Sequence, residues 1–130
     1  MNDKVLLDSD FLYGLFVQED PHHKICNNLL PKIEQSKIIV CNLVIYEMLT
    51  IFSRRFSQEL AKSFLEDLTS FDIQKVFVDD SLEKEILAVF MSRTKKNISF
   101  VDCSNLVIAT KYNCKIVSFD KFYPKELLIS

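Results

Sequence analysis

Glycine is almost missing from this 130-residue chain, which holds one, alongside three prolines. So few tight-turn residues exclude a sandwich or barrel of many short strands and favour helices joined by short connections. Long apolar runs are missing too: Glu47 and Arg54 interrupt the best candidate well below the roughly 18 residues of a membrane span. There is no excess of positive charge, with 16 Lys and Arg against 18 Asp and Glu, a net charge of −2 and a pI of about 5.7. Any nucleic-acid binding therefore depends on a local patch rather than on a global field. Cys26, Cys41, Cys103 and Cys114 show neither CxxC spacing nor a zinc-type grouping with histidine, and are expected to be reduced core thiols. That fits a cytoplasmic protein, as does an N-terminus, Met1-Asn2-Asp3-Lys4, without the features of a secretory leader.

What is present is an ordinary globular balance, 48% apolar and 26% charged, expected to form one domain over 1–130. Lys4 to Leu7 reads as a buried strand ending at Asp8, and Ser9 to Val17 as a helix. A second helix is predicted with Asp20 as N-cap and Pro21 in its first position, running to about Gln35 with Pro31 as a kink. Lys37 to Cys41 is a second strand, and Asn42 is expected to cap a helix through about Arg55. Ser57 to Ser70 is helical, with Leu60, Phe64, Leu65 and Leu68 recurring at a 3.6 period. Ile73 to Val78 is a third strand, and Asp80 or Ser81 opens a helix to about Ser92. Arg93 to Asn97 is a basic loop. Ser99 caps a helix to about Tyr112, Cys114 to Phe119 is a fourth strand, and Glu126 to Ile129 is a candidate fifth. This alternation implies a parallel α/β sheet, whose ligands bind beyond the carboxyl ends of the strands.

Asp8, Asp102 and Asp120 each directly follow a short apolar run, and Glu47 is the only charge between Ile38 and Phe52. Each aspartate has a local alternative: helix N-caps or junctions for Asp8 and Asp120, and a Ser99-x-x-Asp102 capping box for Asp102. Glu47 lies inside a helix expected to be apolar on nearly every face, where a carboxylate needs a partner. An ion pair with Arg54 is one option, and convergence with the aspartates is the other. Clustered carboxylates repel one another, and a hard divalent cation relieves that. With no histidine at a strand end and no Gly-Lys-Ser loop, a metal would have to supply the chemistry. His22 and His23, beside Lys24, read as solvated helix residues.

In order, Val5-Leu6-Leu7-Asp8-Ser9-Asp10, Glu47, Ile98-Ser99-Phe100-Val101-Asp102-Cys103-Ser104 and Ile116-Val117-Ser118-Phe119-Asp120-Lys121-Phe122 resemble the motifs of PIN-domain nucleases, especially the small stand-alone VapC-type toxins. Asp20-Pro21-His22-His23 is similar to the family as well. The resemblance implies an α/β, PIN-like three-layer fold with a central parallel sheet of four or five short strands flanked by helices. It further implies a metal-dependent ribonuclease in which Asp8, Glu47, Asp102 and Asp120 hold one or two Mg2+ or Mn2+ ions, with products carrying a 5′-phosphate and a 3′-hydroxyl. Ser118 falls where the family often carries a hydroxyl residue. Asp10 stands where asparagine or serine is commoner, and adds a further candidate ligand. Asn105 stands where an apolar residue is expected; a helix-surface contact is its simplest reading, with orientation of a carboxylate or a water the alternative. An RNA substrate, an antitoxin protein partner, a homodimer and no membrane association follow from the same resemblance.

Phosphate contacts are expected from Arg93, Lys95 and Lys96, with Arg54, Arg55 and Lys121 as further candidates, against ordinary solvated charge. Tyr13 and Phe122 lie near acids and are candidates for base stacking, though burial is the simpler reading of Phe122. Other readings are a housekeeping RNA-processing PIN nuclease and a non-catalytic RNA-binding PIN domain. An Asp-x-Asp phosphotransferase using Asp8 as nucleophile leaves Glu47 unexplained, and its late acidic pair is missing. A receiver domain would need its acids at other strand ends.

Overall fold

The computed structural model describes residues 3–125 and 128. Its order is β1 (Lys4–Leu7), α1 (Ser9–Phe16), α2 (His23–Ile33), β2 (Lys37–Cys41), α3 (Asn42–Arg55), α4 (Gln58–Ser70), β3 (Ile73–Val76), α5 (Asp80–Ser92), α6 (Phe100–Tyr112) and β4 (Lys115–Val117). All pairings are parallel, in the order β3-β2-β1-β4. The apolar runs of β1 and β2 are buried along nearly their whole length, as strands covered by helices on both faces must be. From β1 the chain steps outward to β2 and β3, then returns across the sheet to place β4 on the far side of β1. Right-handed crossovers put α1–α4 on one face and α5–α6 on the other. The direction of winding reverses between β1 and β4, and a crevice opens beyond their carboxyl ends.

The capping box of Ser99 and Asp102 forms as expected, while Ser57 and Asp79 stand just outside their helices as caps, accepting from Leu60 N and Leu82 N, so that α5 opens at Asp80. With glycine so scarce, Asn97 and Asn113 take the positive-φ positions among the described residues, Asn113 as the left-handed C-cap of α6. The one glycine, Gly14, lies where α1 meets α2; a Cβ there would stand 2.6 Å from Cys26 Sγ. All four cysteines are buried and free.

Several boundaries differ from expectation. Helix α2 begins at His23, not Pro21, because Asp20 instead closes a turn ahead of it, its carboxylate accepting from His22 N at 3.0 Å. Asn42 is the first helical residue of α3 rather than its cap; its buried Oδ1 accepts from Val78 N at 3.0 Å. That bond holds Val78 out of β3, which ends at Val76. Strand β4 stops at Val117 because Ser118 and Phe119 turn to the acidic residues described below. Leu65 is more exposed than its place in the α4 period suggests. Of the expected fifth strand, Leu128 makes a parallel bridge to Ile116, and the remaining positions lie outside the described residues.

Candidate metal centre

Asp8 leaves the end of β1 beside β4, its N–H bonding Val117 O at 3.1 Å, and is only 3% exposed. Its Oδ1 accepts from Ser9 N at 2.7 Å and from Asn105 Nδ2 at 2.9 Å. Its Oδ2 is 2.9 Å from Ser118 Oγ and accepts from the Tyr123 hydroxyl at 3.1 Å. Asn105, on α6 and fully buried, also donates to the Tyr123 hydroxyl at 3.3 Å. Burial, then the neighbouring charge of Asp10, raises the Asp8 carboxyl from 3.8 to about 6 despite these donors. Burial and then the Asp8 charge push the Tyr123 phenol far up, so it stays a protonated donor.

Ser118 links two carboxylates and has too few hydrogens for both. Its Oγ lies 2.9 Å from Asp8 Oδ2 and 3.0 Å from Asp10 Oδ2, while accepting from Asp120 N at 3.0 Å. A hydroxyl carries one hydrogen. With both aspartates ionised, one of these contacts is oxygen against oxygen with nothing between. Asp10 Oδ2 also takes Phe119 N at 2.9 Å, whereas its Oδ1 and the Oδ1 of Asn105 are buried with no hydrogen-bond partner among the described residues. Buried polar atoms are normally satisfied. The cluster is short of positive charge and donors by at least one, which a proton or a cation would fill. A hard, oxygen-ligated cation fits this donor set.

The other acids reach the same edge from two directions. Burial raises Asp10 and Asp102, and both also feel the charge of Asp120. Asp102 spends Oδ2 on the Ser99 N–H at 3.1 Å, so capping and proximity to the cluster coexist. Asp120 caps its own turn by accepting from Phe122 N at 2.9 Å. Glu47 is half-buried on α3, where Tyr46 and Thr50 are exposed, so this helix is less enclosed than its composition suggests. It makes no hydrogen bond or ion pair with any described residue, Arg54 included. Among the described residues, no three His, Cys, Asp or Glu side chains stand together as a ready-made metal cage. Asp8 thus feels the charge of Asp10, and Asp10 and Asp102 that of Asp120, while the structure does not join Glu47 to them.

Two clefts flank the cluster. One, of about 500 Å³, is lined by Asp102 and Asp120 together with Arg93, Lys95, Lys96 and Lys121. Arg93 lies over the Phe122 ring, 5.6 Å from its centroid. The other, of about 240 Å³, has Asp10 as one wall and contains Tyr13, His22, Met48, Ile51 and Arg55. Arg54 lies in neither; it borders a separate surface cleft with Leu49 and Lys62. His22 and His23 are half-buried rather than solvated. His22 stacks on Phe119, and a ring nitrogen of His23 meets Gly14 O at 2.8 Å.

Tyr123 escaped the sequence reading, because nothing in Phe122-Tyr123-Pro124 marks a site. Asn105 carried a signal, a polar residue where an apolar one is expected, but its place is the buried centre rather than the helix surface.

A parallel α/β sheet with an acidic cluster at its winding reversal defines a protein whose site is built by strand ends rather than by a long loop. The PIN domain family matches residues 5–125, and the chain belongs to that family. The resemblance carried by the motifs is thus borne out. The fold is similar to that of the Mycobacterium tuberculosis VapC20 toxin, which cleaves the sarcin-ricin loop, with a TM-score of 0.84 at 18% identity and 96% of both chains covered. It is also similar to a chain of Rickettsia felis VapBC2 bound to a DNA fragment from its promoter, with a TM-score of 0.73 at 15% identity, covering 97% of this chain and 96% of that one. No match was found among curated proteins.

Proposed function

We propose that this chain is a Mg2+- or Mn2+-dependent ribonuclease and the toxin of a toxin–antitoxin pair. The observation that carries the reading is the Ser118 bridge, where one hydroxyl hydrogen serves the buried Asp8 and the half-buried Asp10, whose Oδ1 has no hydrogen-bond partner among the described residues. Asp8, Asp102 and Asp120 would hold one or two ions, with Asp10 as a further ligand. Glu47, on the helix leaving β2 at the same sheet edge and engaged with no other described residue, would complete the set. When bound, such an ion lowers the pKa of a water ligand and offsets charge on a phosphodiester.

The chain's own groups do the positioning. Asn105 and Tyr123 fix both oxygens of Asp8, and Ser118 with Phe119 N holds Asp10. Arg93, Lys95, Lys96 and Lys121 stand beside Asp102 and Asp120, where they would bind RNA phosphates and supply locally the positive charge that the whole chain lacks. The Rickettsia felis assembly supports an antitoxin partner, and the cleavage by the M. tuberculosis toxin supports an RNA substrate. A homodimer, a single domain over 1–130 and a cytoplasmic location belong to this reading; no described helix is long and apolar enough to cross a membrane.

The test is cleavage of structured and unstructured RNA with Mg2+ or Mn2+, comparing wild type with Asp8→Asn and Asp120→Asn. Chelation and either substitution should abolish cleavage, and equal cleavage by all three proteins refutes the placement. The toxin role is tested by growth arrest on expression, relieved when the product of a small neighbouring gene is co-expressed.

A further inference from the structure

The two clefts beside the acidic cluster differ in chemistry. The one on the Asp102 and Asp120 side gathers four cations around a single ring, Phe122, whose face Arg93 already covers. That is a surface for phosphates. The one on the Asp10 side has one cation, Arg55, and sets the rings of Tyr13 and His22 and the apolar Met48 and Ile51 beside Ser9 and the carboxylates of Asp10 and Asp20. Arg55 is held in place, with Nη1 donating to the Tyr13 hydroxyl at 3.1 Å and its guanidinium 5.6 Å above the same ring. A guanidinium fixed over a ring keeps its outer face and remaining N–H groups available for stacking or hydrogen bonding.

Across the cleft, the His22 ring lies flat against Phe119, centroids 4.0 Å apart and planes 7° from parallel. Phe119 N is the group that binds Asp10, so this stack is fastened directly to the acidic cluster. Met48 and Ile51 add apolar lining to the same cleft. Flat cationic and aromatic faces over an apolar base match the surface of a nucleobase, and stacking of this kind tolerates any base.

We infer that the Tyr13, His22 and Arg55 cleft is a base-binding subsite for a nucleotide next to the scissile phosphate of single-stranded RNA, while the Arg93 to Lys96 side holds only the backbone. This rests on the nuclease reading. The strand would cross the acids from a base-reading side to a phosphate-reading side.

The experiment is two-dimensional amide NMR of the full-length protein in Mg2+, titrated with adenosine, uridine or ribose 5-phosphate. Both nucleosides should shift the signals of Tyr13, His22 and Ile51, and ribose 5-phosphate should shift those of Thr94 to Lys96 instead. His22→Ala and Arg55→Ala should each weaken nucleoside binding by about 5- to 150-fold, the range expected for one lost stacking partner. His22→Phe keeps a flat ring and should restore binding. Nucleosides that leave the cleft signals unmoved, or ribose 5-phosphate that moves them equally, overturn the subsite. RNA cleavage measured on the same samples separates the two ideas. A protein that cleaves but shows no base-dependent shift loses the subsite and keeps the nuclease reading. One that binds nucleosides in the cleft without cleaving keeps the base-binding site and loses the nuclease reading.

Discussion

Replacing Asp8 by asparagine should make the metal-free protein more stable at neutral pH. Asp8 has its carboxyl raised from 3.8 to about 6 by burial and then by Asp10. A carboxyl that holds its proton more tightly folded than unfolded contributes stability that is fully present below the unfolded value. That stability is lost as pH rises through the folded value. The window therefore runs from about pH 4 to just above 6, and each tenfold difference in proton affinity is worth ~1.4 kcal/mol, so ~3 kcal/mol is lost across it. Asparagine carries no such cost. It keeps one oxygen for Ser9 N and Asn105, and turns its amide toward the Ser118 and Tyr123 hydroxyls, both of which can accept. Rearranging those bonds costs about 1 kcal/mol. The net gain at pH 8 is ~2 kcal/mol, or about 7 °C in Tm for a chain of this length. By pH 4 the gain should be gone, and at lower pH the rearrangement cost alone should leave the variant less stable by about 1 kcal/mol.

Thermal melts of both proteins in chelator, from pH 4 to 8, measure this directly. Added Mn2+ should reverse the order, because an ion at a hundred times its Kd stabilises the wild type by ~2.7 kcal/mol. A variant no more stable than wild type at pH 8 in chelator would show that Asp8 bears no such cost and would refute the reasoning.

Tyr123→Phe, which removes one donor and keeps the ring, should cost about 1 kcal/mol in urea unfolding, whereas Asn105→Ala, which strips a buried donor from Asp8, should cost about 2–3 kcal/mol; equal costs would contradict the hydrogen-bond pattern. Gly14→Ala should destabilise by about 1–3 kcal/mol through its clash with Cys26 Sγ, despite alanine's better helix propensity, and Cys26→Ala in the same chain should recover most of the loss. No recovery in the double variant would place the strain elsewhere. Glu47→Gln should leave the metal-free stability unchanged within about 0.5 kcal/mol, since Glu47 has no partner among the described residues to lose, while weakening Mn2+ binding by calorimetry about 10-fold. A large stability loss with unchanged Mn2+ affinity would make Glu47 structural.

Features whose determinants are adjacent in sequence were legible. The start of α6 follows from Ser99, which bonds the N–H three residues on. The parallel sheet follows from apolar runs alternating with helical periods. The ends of β3 and β4 were not legible, because what stops them comes from afar: Asn42 for Val78, and Asp10 for Ser118 and Phe119. At the site, three aspartates after apolar runs marked the right sheet edge. Glu47 drew weight from a helix expected to be enclosed on all sides, yet the exposure of Tyr46 and Thr50 removes that demand. Tyr123 and the stacked His22 act through shape and partners that no local pattern encodes.

The partners of Asp8 lie 97, 110 and 115 residues further along the chain, in α6, just after β4 and at Tyr123. Strand β1 is made first yet lies inside the sheet, one of its two neighbours being the last strand formed. During synthesis a ribosome can release α1 to α5, with most of the apolar interior, while Asp8 still faces water without Asn105, Ser118 or Tyr123. Contacts of such long range form late and slowly. A nascent chain stopped anywhere before Tyr123 therefore cannot complete the acidic centre.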